Sequence, residues 1–250
     1  MPKKGKKGKE SEKKPLLPAE LQSSLQMISD ATAAETALLG AVQQLDVGAC
    51  SGGDVRKADL AREGVIPTLV ALLDRCSSPS DGAVMPALRE AVVHTLRTLS
   101  CNNPLAGTVV RTAYDNSTAT IQAGAAPVLV AVLRDDRATD ALKESACACL
   151  CQLASTAANR VALLEAGAVA PLVALVKQVG AGEKPRMQAA LALGSLAFRH
   201  APSQEAIDKA GGVAALEALA NDGTPTQWRV ATYAVRNIKN EVEASAATPA

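Results

Sequence analysis

Cys147, Cys149 and Cys151 are the densest run of potential nucleophiles or metal ligands in the 250-residue chain. Thiolates hold zinc when their spacing lets four ligands converge tetrahedrally. On a helix, Cys147 and Cys151 share a face and Cys149 points away. Three thiols so placed cannot converge on one ion, and they read as small buried apolar residues. The two histidines, His94 and His200, stand apart from each other and from the thiols. Each reads as a surface or boundary residue. Neither a G-x-x-x-x-G-K-[ST] phosphate loop nor a G-x-S-x-G nucleophile elbow is present. Gly180-Ala181-Gly182 lacks the preceding strand and the following glycine of a dinucleotide fingerprint. No catalytic residue, cofactor site or metal site is therefore assigned, and the chain reads as a non-enzyme.

Binding chemistry is more legible than reaction chemistry. Lys3, Lys4, Lys6, Lys7, Lys9, Lys13 and Lys14, with two glutamates, give residues 1–14 a net charge of +5. The whole chain is +1, so the remainder is mildly acidic at −4. Residues 1–18, rich in Lys, Gly and Pro, are expected to be a disordered arm that binds by charge. Its candidate partners are nucleic acid, an importin, an anionic membrane or acidic tubulin tails. Sequence-specific nucleic-acid binding ranks low because the body is acidic and aromatic residues are 2% of the chain. The six cysteines follow no secreted disulfide spacing. No hydrophobic signal core follows the basic start, and no apolar run approaches the ~18 residues of a membrane span. A cytoplasmic, non-secreted protein with reduced thiols is the expectation.

The elements that must position any site recur. Gly64–Leu73 (GVIPTLVALL), Gly124–Leu133 (GAAPVLVAVL), Gly167–Val176 (GAVAPLVALV) and Gly211–Ala220 (GGVAALEALA) are four copies of one string. The glycine-to-glycine steps are 60, 43 and 44 residues. A period of about 40–47 residues built from two or three helices points to an α-solenoid. Each glycine should stop a short first helix and turn the chain through a left-handed residue. Pro67, Pro127 and Pro171 fall early in a second helix, where a missing N–H costs little. A third helix repeats one apolar stripe: Val92, Leu96, Leu99; Ala146, Leu150, Leu153; Ala189, Leu193, Leu196; Ala231, Val235, Ile238. The expected layout is an arm over 1–18, a helical cap or degenerate repeat over 19–53 with a loop from Gly48 to Gly53, repeats over about 54–103, 117–156, 159–200 and 203–240, and a frayed tail over 241–250. The first step is 17 residues longer than the second. Eleven of these fall in a loop between repeats that contains Tyr114, and six between helices two and three. Long loops on rigid scaffolds often carry function.

The A/E-G-(x)4-L-V-x-L-L string followed by A-(x)3-L-(x)2-L resembles the armadillo repeat over about residues 54–240. The HEAT type is the alternative, and the glycine turn between the first two helices favours armadillo. The resemblance implies an all-α, right-handed solenoid of about four repeats plus an N-terminal helical cap. It implies that the third helices line a concave groove. Peptide-binding members carry Trp and Asn there, four residues apart. The corresponding pairs here are His94 and Thr98, Ala148 and Gln152, Leu191 and Ser195, and Tyr233 and Asn237. Only the last is similar to that pattern, which disfavours a nuclear-transport adaptor for basic peptides.

The groove wall expected from the repeats comprises Glu90, His94, Arg97, Thr98, Glu144, Gln152, Met187, Ser195, Arg229, Tyr233, Arg236 and Asn237. Aromatic and Arg side chains commonly anchor interfaces, which singles out Arg229, Tyr233 and Arg236. Trp228 is expected to pack the terminal repeat or anchor a neighbour. Tyr233, Val235 and Ile238 lie near the terminus, so a partner capping that end is a further expectation. Two functions follow. One is a scaffold that binds a protein partner through groove, loops or ends. The other is a component of a ciliary, axonemal or other microtubule assembly, held partly by the lysine arm. For the latter, MPKKGKKGK resembles the Lys-Gly-rich starts of several axonemal proteins.

Overall fold

A computed structural model describes residues 16–77, 85–101 and 115–239. Among them are fourteen helices and no strand. Ala19–Ser29 (α1) and Glu35–Ser51 (α2) form an opening pair. Gly53–Arg62 (α3), Val65–Ser77 (α4) and Pro86–Ser100 (α5) make the first triplet; Asn116–Gln122 (α6), Ala125–Arg134 (α7) and Asp140–Leu153 (α8) the second. Ala157–Glu165 (α9), Val169–Lys177 (α10) and Glu183–Ala197 (α11) follow, then Ala201–Lys209 (α12), Gly212–Asp222 (α13) and Pro225–Ile238 (α14). Three rows result: α3, α6, α9, α12; α1, α4, α7, α10, α13; and α2, α5, α8, α11, α14, each helix stacked on the next of its row. No single described helix is long and apolar enough to cross a membrane.

The turning glycines explain why the rows form. Gly64, Gly124, Gly167 and Gly211 have φ of 83°, 84°, 74° and 72°. A side chain is strained in that left-handed region. Each glycine N–H closes the end of its first helix, as in Gly124 N–H to the Ile121 carbonyl at 2.9 Å. The chain then bends by 76° between α6 and α7 and by 77° between α9 and α10. The bend points the second helix's stripe inward: Leu69, Leu129, Leu172 and Leu216 are all 0% exposed. Burying one such leucine is worth roughly 1.5–3 kcal/mol. The third-helix stripe meets it with Leu96, Leu150 and Leu193, equally buried.

The opening pair differs from the sequence expectation in one place. Gly48 to Ser51 belong to α2 rather than to a loop. A Cβ on Gly48 would lie 2.8 Å from the Leu21 methyls, so this glycine serves close packing of α1 on α2. The break falls at Gly52–Gly53, where Gly53 has φ 59°.

The closing end carries its own polar cover. On α14, Thr232, Arg236 and Lys239 occupy the helical positions that Ala190, Gly194 and Ala197 hold on α11. The α11 residues are buried, whereas Arg236 and Lys239 are exposed and Thr232 partly so. Lys239 pairs with Glu217 of α13 at 2.9 Å, and Ile238 is only 7% exposed. Terminal repeats of solenoids need such an outer face.

One ion pair ties adjacent triplets. Arg89 of α5 has 1% side-chain exposure, and its Nη1 lies 2.8 Å from Oδ2 of Asp135, which caps α7. Burial pushes the Asp135 carboxyl up, but hydrogen bonds from the Arg137 backbone and side chain and from Arg89 outweigh it and hold it at about 2. A carboxyl lowered on folding stabilises the protein above its unfolded pKa, near 4, and that stabilisation fades as pH falls towards 2. Asp135→Ala should cost about 3–5 kcal/mol at neutral pH by stranding a buried guanidinium. Urea unfolding measured from pH 7 down to pH 2 should show the gap to wild type closing below about pH 4; a gap independent of pH would contradict the assignment.

Two glycines inside third-row helices should respond oppositely to alanine. A Cβ on Gly194 would lie 2.9 Å from Cε1 of Tyr233 and 3.1 Å from the Ala234 backbone, whereas a Cβ on Gly40 of α2 meets nothing within 4 Å. Gly40→Ala should stabilise by about 0.5–1 kcal/mol through helix propensity. Gly194→Ala should destabilise by about 1 kcal/mol or more by forcing α14 off α11. Denaturant midpoints of the two variants check this.

Candidate functional site

The third-helix row presents the one continuous face on which the residues singled out by sequence assemble. Along each helix of this row the buried stripe takes one side and leaves a line of partly open positions. On α5 these are Glu90, His94, Arg97 and Thr98; on α8 Glu144 and Gln152; on α11 Met187, Leu191 and Ser195; on α14 Arg229, Tyr233 and Arg236. His94, Arg229, Tyr233 and Arg236 are exposed, and the others are partly buried.

Side chains on this face bond back to the preceding helix. Nδ1 of His94 lies 3.3 Å from Oδ1 of Asp46 on α2. Sγ of Cys151 lies 3.2 Å from Oγ of Ser195. The Thr139 hydroxyl, at the start of α8, donates to Oε1 of Glu90. Oγ1 of Thr224, which caps α14, donates to Oε1 of Glu183 at 2.6 Å. The amide oxygen of Gln152 is buried and has no hydrogen-bond partner among the described residues.

Tyr233 sits on the flat surface that Gly194 leaves, with its ring 44% exposed. The glycine is what allows an aromatic ring to lie against α11 while keeping an open side. Asn237 departs from the expectation. It is 3% exposed, and its Nδ2 donates to the Gly194 carbonyl at 3.0 Å. That amide fastens α14 to α11 and is not offered to a ligand. Trp228 also departs from one of its two readings: at 54% exposure it does not pack inside the terminal repeat.

The thiols behave as structural side chains. Cys147 and Cys149 are 0% exposed, and burial raises both pKa values, that of Cys149 to about 12. Their thiolates, the reactive form, are thereby suppressed. No group of three or more His, Cys, Asp or Glu able to hold a metal occurs among the described residues. Of its two readings, surface or boundary, His200 takes the boundary one: it precedes α12, is 9% exposed, and places Nδ1 2.7 Å from Oγ of Ser203. Burial, with Arg160 nearby, lowers its pKa. Asn116, in an Asn116-Ser117-Thr118 triplet that fits the N-x-[ST] glycosylation pattern, begins α6. Asn116 is 4% exposed and donates to the Leu99 carbonyl at 3.0 Å.

Sequence reasoning missed the polar joints between triplets. Asp115 accepts from the Ser117 N–H, from the Ser117 hydroxyl at 2.6 Å and from the Thr118 hydroxyl at 2.7 Å. Ser117 in turn meets Ser155 at 2.9 Å. The available signal was an Asp before a Ser/Thr-rich helix start, a helix-capping pattern. The lysine arm, residues 1–14, and the loop candidate Tyr114 lie outside the described residues, as do 78–84 and 240–250.

No family model matches the chain, and no curated protein matches it. Solved structures do. A designed armadillo repeat protein in complex with the peptide (KR)4 has a TM-score of 0.71 at 23% identity, over 92% of this chain and 89% of that one. A computationally designed armadillo repeat protein for modular peptide recognition also has 0.71 at 23% identity, over 87% and 81%. Another designed armadillo repeat protein has 0.70 at 23%, over 91% and 88%. Likeness at this level of identity speaks to architecture, and there it agrees with the three-row stacking. This chain has the fold of an armadillo-type α-solenoid.

Proposed function

We propose that the chain is a non-enzymatic scaffold that holds an extended segment of a protein partner along its third-helix row. The observation that carries this reading is Tyr233: a large aromatic, 44% exposed, seated on Gly194 and flanked by exposed Arg229 and Arg236. In a chain with one phenylalanine, two tyrosines and one tryptophan, a ring left open on a rigid face is an expensive use of apolar surface. Tyr and Arg dominate the binding energy of many interfaces. The α14 helix that carries them is packed on α11 and α13 and fastened to α11 by the Asn237–Gly194 hydrogen bond. A rigid face loses little conformational entropy on binding. Two of the similar designed proteins are described by peptide recognition, which supports the same reading.

A display library of random peptides, selected on the full chain, tests it. Peptides recovered on wild type should lose about thirtyfold in affinity on Tyr233→Ala with Arg236→Glu, corresponding to about 2 kcal/mol. The helical circular dichroism should be unchanged, since both side chains are exposed. Peptides that bind the double variant equally well would place recognition on the loops or ends instead.

A further inference from the structure

The third-helix row changes sign along its length. Asp46 on α2, Glu90 on α5 and Glu144 on α8 stand at one end, with Arg97 and the Asp46-bonded His94 as the basic side chains among these positions. Arg229 and Arg236 stand at the other end, on α14. Between them the middle of α11 contributes the uncharged Met187, Leu191 and Ser195, while Glu183 at its start is engaged by the Thr224 hydroxyl. Neither Glu144 nor Arg229 nor Arg236 takes part in an ion pair among the described residues. Glu90 uses Oε1 for the Thr139 hydroxyl, and its second oxygen has no such bond among the described residues. The two ends are therefore poised for opposite charges, with an apolar floor between.

We infer that this face selects an extended segment carrying a basic side chain and, about five or six residues away, an acidic one, with an apolar residue in the middle. The inference rests on the row being the peptide-binding face. The spacing follows from the fold. Packed helices lie about 8–10 Å apart, so α8 and α14, two steps apart, are separated by about 16–20 Å. An extended chain covers about 3.3 Å per residue. A basic side chain over Glu144 then leaves an acidic one over Arg229 and Arg236, and the intervening apolar residue meets Leu191 and Met187. A uniformly basic segment would be repelled at α14, and a uniformly acidic one at α5 and α8. Such like-charge contact excludes wrong partners more than complementary charge tightens right ones.

The test uses fluorescently labelled peptides of about twelve residues on the full chain, read by anisotropy at low and high salt. One carries Arg and Glu about six residues apart with Leu between, made in both chain directions; the controls carry Arg at both places or Glu at both. In one direction the mixed peptide should bind about tenfold tighter than either control, and salt should erode the difference. Glu144→Lys should move the preference to the all-Glu peptide. Equal binding of all three, lost in Tyr233→Ala with Arg236→Glu, would overturn charge selection while leaving the peptide-binding reading intact. A uniform peptide preferred by wild type would overturn it too. No binding by any peptide, or binding indifferent to the double variant, would overturn both readings.

Discussion

No triplet of this chain can bury its own third helix. The stripe of α8 has α7 on one side, yet its flanks at Cys147 and Cys149 are closed only by the neighbouring helices of its row, and both residues reach 0% exposure. Stability in such a molecule is a sum of modest units and the interfaces between them. Two features of the described residues serve those interfaces directly. The left-handed glycines set the angle at which a unit presents its stripe. The Arg89–Asp135 pair locks one triplet to the next across a boundary where a buried guanidinium would otherwise have no charge partner.

The same demand explains the composition. With few aromatics, the interfaces are filled by Ala, Val, Leu and Cys, which allow close approach between helices. At Gly194 the approach is so close that an extra carbon would meet both a ring and a backbone. Close packing of small residues makes the row stiff, and stiffness makes the few large side chains on it useful. Tyr233 is held against α11 by a contact that leaves its other side open. Asn237, one turn later, is spent on the joint itself. Side chains four residues apart on one helix thus divide the work: one faces outward and the other fastens the last unit.

The ends are treated differently from the middle. Thr232, Arg236 and Lys239 replace the small residues of α11 at corresponding positions, so α14 presents a polar outer face. Arg236 serves a second purpose at the edge of the face, where it contributes with Arg229 to the positive end of the row. The polar cover of this end and a charge of the proposed binding face are here the same residue.

Much of this was legible before any coordinates. Four glycine-led strings, the last three at steps of 43 and 44 residues, each followed by the same apolar spacing, determine an all-α repeat with a turn after every first helix. Periodicity encodes which side of each helix is buried, because that depends only on spacing around one axis. The line of Glu90, His94, Glu144, Arg229 and Tyr233 follows from the same arithmetic. What periodicity cannot encode is which neighbour a side chain finds across an interface. Asn237 has the position of a ligand-binding amide and is instead claimed by the Gly194 carbonyl. Gly48 has the look of a loop residue and is instead a packing surface for Leu21. Asp135, one of two adjacent aspartates in a turn, becomes the partner of a buried arginine 46 residues earlier. Local spacing along the chain determined the repeat and its faces. Only the tertiary structure decided which of those polar residues remain open, because hydrogen bonds and ion pairs between units depend on the relative placement of helices that the sequence keeps far apart.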